Sequence, residues 1–395
     1  MLSDSFHQNE LVKICYTELN LSRKESFPMK KLEALQKWVQ EQHLDVVYIS
    51  DHNSVGYFTN FISDPAERIL GLFVFADADP FMFAPELSVG SAKKAGWTGD
   101  IYGYLDHQKP FAMIADLIKQ RTSHHAVWGL EKDSLPVERV ELIREQFPDA
   151  SFPVNVSEFI RHMKLFKTPG EINLMEEAGE QADLAFSIGF NAIQEGRTEQ
   201  EIVAEIEYGL MKQGIMQMSF DTIIQAGANA ANPHGGPERH KIEPNQLILF
   251  DLGTNNKGYM SDASRTVAFG QLSDKQREIY DVCLEAQLAA QDAVKPGITA
   301  AELDKIARDI ITKAGYGEYF IHRLGHGIGT TDHEFPSIME GNDLELQPDM
   351  CFSIEPGIYI PGFAGVRIED CVHVTENGCK AFTHTSKALN HIPVH

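Results

Sequence analysis

The feature that most restricts the fold of this 395-residue chain is a near-repeat that fills its second half. Hydrophobic period and breaker residues predict helix, helix and then strands over 171–194, 198–212 and 219–269, and the same order returns over 273–294, 299–314 and 319–374. Three of these helices open on a capping box, Thr198 with Glu201, Ser273 with Gln276 and Thr299 with Glu302, in which side chain and backbone donors satisfy one another. Thr198 and Thr299 stand 101 residues apart, so one supersecondary unit reads as built twice.

Upstream the pattern differs. An amphipathic helix over 31–43 and an apolar strand over 45–49 precede short strands around 70–83 and helices near 112–120 and 136–146, the mixture of an α/β layer domain. Thr168-Pro169-Gly170 breaks the chain ahead of the first long helix of the repeat, which puts a boundary nearby. The expected organisation is an α/β amino-terminal domain over 29–158 and an α+β domain with an internal pseudo-two-fold repeat over 159–395. Residues 1–28, polar and weakly patterned, read as an extension.

Composition removes several functions. A formal charge of −23 repels phosphate backbones, and no basic run interleaved with aromatics offsets it, so nucleic acid is not an expected partner. Apolar stretches such as 69–76 fall far short of the roughly 20 residues that span a bilayer, and no membrane partner is expected. The first residues lack the basic start and apolar run of a secretory signal, which points to a cytoplasmic protein. Cys15, Cys283, Cys351, Cys371 and Cys379 are scattered and never form a C-x-x-C pair, so they read as reduced thiols and not as a disulfide framework or a zinc site.

The chemistry is carried by acids at related positions in the two halves. Residues 247–253, a turn-rich tip at 254–258 and residues 259–267 read as a β-hairpin. A turn symmetric about the 256/257 bond would pair Asp251 with Asp262 across the ladder. In a second hairpin, 350–359 with 366–372, Glu355 and Glu369 mirror one another about Gly362. Opposed residues on one sheet face have Cβ atoms about 4.5–5.5 Å apart, where like charges destabilise the pair unless something neutralises them. A divalent cation is the simplest neutraliser. Each acid alone is more simply a solvated strand end, but the flanks Phe250, Leu252, Ile354 and Ile368 are apolar, and buried carboxylates need partners. The acids also keep the repeat, because Glu355 follows Asp251 by 104 residues and Glu369 follows Asp262 by 107.

Histidines cluster between the hairpins. His322 and His326 have the i, i+4 spacing of a zinc-binding helix face, but glycines at 325, 327 and 329 make a helix improbable. A glycine-rich loop that lets backbone approach a ligand is the better expectation, with one imidazole as a metal ligand and His322 or His333 nearby. His234 lies in Asn232-Pro233-His234-Gly235-Gly236-Pro237, which cannot be regular structure, and loops carry function disproportionately. Arg367, two residues before Glu369, shares its sheet face and is either an anion clamp or a salt-bridge partner of a neighbouring acid.

Asp251 and Asp262, followed by Gly325-His326-Gly327-Ile328-Gly329, Glu355-Pro356-Gly357 and Arg367-Ile368-Glu369-Asp370, resemble the proline-directed pita-bread metallopeptidases. The resemblance runs from about residue 160 to the end, and the upstream domain resembles the creatinase-type amino-terminal domain of the same group. It implies two divalent metal ions, with Asp251 on one, His326 and Glu355 on the other, and Asp262 and Glu369 bridging both. It further implies that His234, His322 and His333 line the substrate site and that Arg367 with His322 receives a proline carboxylate. A homodimer is expected on the resemblance alone.

The expected reaction is hydrolysis of the bond before proline in a small peptide with proline second, by water activated at a two-metal site. Glu355 is the expected proton shuttle, and His234 and His333 would stabilise the tetrahedral intermediate or protonate the departing nitrogen. Four carboxylates and one imidazole suit manganese, with zinc, cobalt or iron also compatible. The alternatives are an Xaa-Pro aminopeptidase acting on longer peptides, an amidinohydrolase of the same architecture, which would lack the metal ligands, and a non-catalytic binding protein on the same scaffold.

Overall fold

The computed structural model describes residues 27–394, and the expected extension over 1–28 lies outside them save for its last two positions. Among the described residues the chain divides into two units, one ending at Met163 and the other beginning at Lys164.

The first unit is built on a six-stranded sheet. Helix α1 (Phe27–Glu41) leads into β1 (Val46–Ile49), and α2 (His52–Thr59) precedes β2 (Gly71–Phe75) and β3 (Phe81–Pro85). Then come α3 (Glu86–Lys94), β4 (Asp100–Tyr104), α4 (Pro110–Arg121), β5 (Val127–Leu130), α5 (Val137–Gln146), β6 (Ser151–Asn155) and α6 (Val156–Leu165). The strand order is β4-β3-β2-β1-β5-β6, with β1 antiparallel to β2 and parallel to β5. Strands β1, β2 and β3 are buried along their whole length, which is why they read as unbroken apolar runs without alternation. The rings of Tyr48, Phe73 and Phe81 stack at 4.6 and 4.9 Å on one face. Gly71 is required beside them, because a Cβ there would meet the Tyr48 ring at 2.6 Å.

The second unit repeats helix, helix, sheet. In the first half α7 (Pro169–Ala192) and α8 (Glu199–Lys212) precede β7 (Ile223–Ala226), β8 (Gln246–Leu252), β9 (Asn255–Asn256), β10 (Tyr259–Met260) and β11 (Ala263–Phe269). In the second, α9 (Asp274–Ala293) and α10 (Ala300–Lys313) precede β12 (Gly325–Gly327), β13 (Glu334–Ile338), β14 (Cys351–Ile354), β15 (Gly357–Ile360), β16 (Ala364–Arg367), β17 (Asp370–Thr375) and β18 (Gly378–Ala381), and β19 (His391–Ile392) returns to the first sheet. The sheets run β19-β11-β8-β7 and β13-β12-β14-β17-β18. All four helices start at complete capping boxes, including Thr168 with Glu171 ahead of α7. Thr168-Pro169 is thus more than a breaker: the hydroxyl caps the helix, and proline fills a first-turn position that needs no N–H donor.

The hairpins decide where the acids go. On β8 and β11 the register pairs Asp251 with Ser264, not with Asp262. The expected register was two residues out, because the turn lies at Lys257-Gly258, both with positive φ (52° and 88°), and not at the 256/257 bond. Positive φ at both central residues gives the twist that two antiparallel strands need. Asp262 therefore sits diagonally from Asp251, where β10 has ended and β11 has not begun. The second hairpin has the register expected from a mirror about Gly362: Gly357 faces Arg367 on β15 and β16, and Ile354 faces Asp370 on β14 and β17. Glu355 and Glu369 fall in the break between these ladders, where side chains leave the sheet together.

The glycines around His326 act differently from the expectation. They flank a central strand, β12, not a loop. A Cβ on Gly325 would meet the Ser353 carbonyl at 1.8 Å and one on Gly327 the Phe335 carbonyl at 2.2 Å, so it is neighbouring backbone, not a ligand, that the glycines admit. The core under the first sheet joins Ala182, Ala185 and Phe186 of α7 to Ile248 and Phe250 of β8, each worth about 1.5–3 kcal/mol for the larger side chains. Among the described residues no helix is long and apolar enough to cross a membrane. Cys283, Cys351, Cys371 and Cys379 are free thiols, and Cys15 lies outside the described residues.

Candidate active site

Every site residue expected from the sequence lines one cavity of about 520 Å³: Asp251, Asp262, His326, Glu355, Glu369, Arg367, His234, His322 and His333. Four of the five candidate ligands stand at the end of a strand or in a gap between strands. His326 instead sits mid-strand with its side chain 2% exposed, and its Nδ1–H donates to the Gly327 carbonyl at 3.1 Å. That bond turns Nε2 toward the acids, 3.2 Å from Glu355 Oε1 and 3.6 Å from Asp262 Oδ2.

The acids are buried and incompletely partnered. Glu369 accepts from Ser264 Oγ at 2.7 Å, and Asp251 accepts from Arg367 Nη2 at 2.5 Å. Yet Asp251 Oδ1, Asp262 Oδ1 and Glu369 Oε1 are buried without a hydrogen-bond partner. Burial pushes the Asp262 carboxyl well above the usual carboxylate range, helped by Glu369, Asp251 and Glu355, and the Glu369 carboxyl rises through burial and then Glu355 and Asp251. Burial also works against the Glu355 charge, but the His326 hydrogen bond and charge, then His322 and Arg367, bring that carboxyl down to about 2. Three buried carboxylate oxygens without a hydrogen-bond partner call for a compensating cation. One donor atom each from Asp262, His326 and Glu369 lie within 4.8 Å of one another, close enough to converge on one ion. Hard oxygens with a single imidazole nitrogen fit divalent first-row cations.

Two residues expected at the substrate site are hydrogen-bonded within the protein. Arg367, 4% exposed, donates Nη2 to Asp251, Nη1 to Tyr359 Oη at 2.8 Å and Nε to Ser264 Oγ at 2.9 Å. The salt bridge to a neighbouring acid, one of the two readings open in the sequence, is present. His322 Nδ1–H donates to the Arg323 carbonyl at 2.7 Å, so its Nε2 accepts from Tyr359 Oη at 3.0 Å and is spent. Burial, outweighing Glu355, keeps this imidazole below its ordinary pKa and so neutral.

Other cavity residues escaped the sequence reading. Arg323 donates Nη1 to Ser337 Oγ at 2.9 Å and Nη2 to His333 Nδ1 at 3.4 Å, and no carboxylate pairs with it among the described residues. Its place next to His322 and three residues before His326 was the available signal. Phe220, Ile223 and Pro233 form an apolar part of the wall, and Asp332 adds a carboxylate; nothing in their spacing marked them. His333 lies with its ring centroid 3.8 Å from that of His326, and burial and then His326 hold its pKa below the ordinary value. Accepting at Nδ1, it keeps its proton on Nε2.

Comparison with known proteins fits this geometry. The model of metallopeptidase family M24 matches residues 173–376, and that of the creatinase/prolidase N-terminal domain matches 31–165. The chain belongs to metallopeptidase family M24. It has the family's pita-bread catalytic domain behind a creatinase-type α/β domain, and it is a peptidase. Among relatives within M24, an Xaa-Pro dipeptidase of Lactobacillus helveticus is 58% identical over 92% of this chain and 99% of its own. The prolidase of Pyrococcus horikoshii OT3 superposes with a TM-score of 0.84 at 35% identity, covering 91% of this chain and 99% of that one. An Xaa-Pro dipeptidase from Bacillus anthracis gives 0.85 at 34%, covering 92% and 99%.

Proposed function

We propose that this M24 peptidase is a dinuclear-metal Xaa-Pro dipeptidase that releases proline. The observation that carries this is the pairing, in one cavity of about 520 Å³, of a buried acid cluster with a guanidinium, Arg323, that no carboxylate among the described residues neutralises. That volume suits a small ligand. A dipeptide brings its α-carboxylate close behind the scissile bond, where Arg323 offers a bidentate fork. This assigns the carboxylate to Arg323 in place of Arg367, whose charge is paired with Asp251, and His322, whose Nε2 accepts from Tyr359 Oη. Phe220, Ile223 and Pro233 offer the pyrrolidine ring an apolar surface.

Two divalent cations held by Asp251, Asp262, His326, Glu355 and Glu369 would supply positive charge that acidifies a water and polarises the scissile carbonyl. The protein's own groups do the rest. Glu355, deprotonated across the working pH range, takes the proton from the attacking water and passes it to the prolyl nitrogen. His333, neutral and protonated on Nε2, donates to the oxyanion as the carbonyl becomes tetrahedral, and His234 approaches the same atoms from its loop. Arg367 holds Asp251 in place through its Nη2, and Tyr359 carries that order on to His322. Because proline has no N–H, a site that grips the carboxylate loses nothing by its absence.

The same proposal takes manganese as the resident ion, a homodimer as the working form and the cytoplasm as its location. The sequence resemblance supports the dimer, and the oxygen-rich donor set supports the metal. Release of proline from Xaa-Pro is the test, measured beside cleavage of Xaa-Pro-Xaa tripeptides. Faster cleavage of the tripeptide would turn the assignment to an Xaa-Pro aminopeptidase, and turnover of neither peptide after reconstitution with manganese would end it.

A further inference from the structure

His234 stands in the stretch 232–240, which forms no helix or regular strand and alternates between exposed and half-buried residues. A loop with so little buried apolar surface owes its position to hydrogen bonds, and one buried carboxylate holds its far end to the strand end and turn that precede it. Glu199, the first residue of α8, is 0% exposed. Its Oε1 accepts from the backbone N–H of Ala226 at 2.6 Å, and its Oε2 accepts from Asn229 Nδ2 and from the backbone N–H of Glu238, each at 2.8 Å. Ala226 ends β7 and Glu238 follows the Asn232–Pro237 turn, so a single carboxylate ties together both ends of the segment that carries His234. Gln225 Nε2 braces the middle by donating to the Asn232 carbonyl at 3.0 Å.

The charge matters as much as the shape. An ionised carboxylate can accept from all three donors at once, whereas an amide offers one acceptor oxygen and turns an N–H₂ group toward another donor. Charge-assisted bonds of this kind are roughly twice as strong as neutral ones. Glu199 lies outside the lining of the catalytic cavity. We propose that Glu199 is a positioning residue for His234: it fixes the 226–238 segment so that the imidazole meets the scissile bond, while touching neither substrate nor cation. This rests on the role given to His234 above.

The test compares Glu199→Gln, His234→Ala and the double variant in the full-length, metal-reconstituted enzyme, together with amide hydrogen exchange of peptides covering 226–238. Exchange in that segment should quicken in Glu199→Gln, and kcat should fall on the order of tenfold or more with KM changing less, as misplacement of a reacting group does. The double variant should be no slower than His234→Ala, since both changes remove one contribution. Should Glu199→Gln not fold, Asn229→Ala, which removes one of the three donors, should give the same pattern more weakly. Unchanged exchange, or additive losses in the double variant, overturns the positioning role while leaving the dipeptidase proposal intact. A His234→Ala enzyme with parental kcat removes His234 from the reaction and overturns both that assignment and this one.

Discussion

Asp370→Asn should be among the most damaging single-atom-scale changes outside the cavity. The Asp370 carboxylate accepts from Arg265 Nη2 at 2.7 Å, Thr383 Oγ1 at 2.6 Å and Lys387 Nζ at 2.5 Å. Arg265 and Asp370 are each 2% exposed, so water cannot replace a lost partner. Burial works to raise the Asp370 carboxyl, but Arg265 and Lys387 overcome it and hold the group below the usual range. Asparagine keeps the outline and removes the charge, leaving Arg265 and Lys387 with no counter-ion among the described residues. Loss of one partner from a buried pair costs about 3–5 kcal/mol. For a unit of this size each kcal/mol moves Tm by roughly 2–4 °C, so the melt should drop by about 6–20 °C. Scanning calorimetry and urea unfolding are the assays, with an unchanged m-value showing that stability and not the denatured state has changed. The sign with pH also follows. A depressed carboxyl contributes its stability above its unfolded pKa of about 3.9 and loses it as pH falls through the folded value, so parent and variant should converge in acid. A variant that melts within about 2 °C of the parent at neutral pH would refute the reasoning.

Arg323→Met should raise KM for Xaa-Pro by roughly 10–150-fold, the worth of a charged hydrogen bond, with a smaller change in kcat, and steady-state kinetics on one dipeptide would check it. Glu334 and Lys167, 5% and 3% exposed, pair at 3.2 Å, and Glu334 also accepts from Thr330 and Thr331 beside His333. Burial opposes the Glu334 charge, but Lys167 and Lys164 prevail and its pKa is lowered, so the stability lost in Glu334→Gln should be constant above about pH 5 and vanish in acid, as read by urea melts across pH. Chelation should abolish hydrolysis and lower Tm, while a divalent cation at about 100 times its Kd should restore about 2.7 kcal/mol; a chelated enzyme with full activity would contradict the metal proposal.

Much of this molecule was legible in its sequence because the signals were local. Capping boxes and apolar period set the four helices of the second unit, and the mirror about Gly362 set the register of β15 with β16 from turn to strand end. The four candidate acid ligands could be picked out because acids between apolar neighbours are costly anywhere but at a site, and the family resemblance added His326. Tertiary structure alone decided what each side chain is free to do. The Lys257-Gly258 turn moved Asp262 off its expected partner, because register depends on which residues take positive φ, and Lys257, unlike glycine, carries no mark of it. Arg367 is engaged by Asp251 and Tyr359, and His322 by Tyr359, contacts between residues up to 116 apart that no spacing rule encodes. Arg323, one step along the chain, lines the cavity without a carboxylate partner among the described residues, a difference that depends on which side chains folding brings beside it.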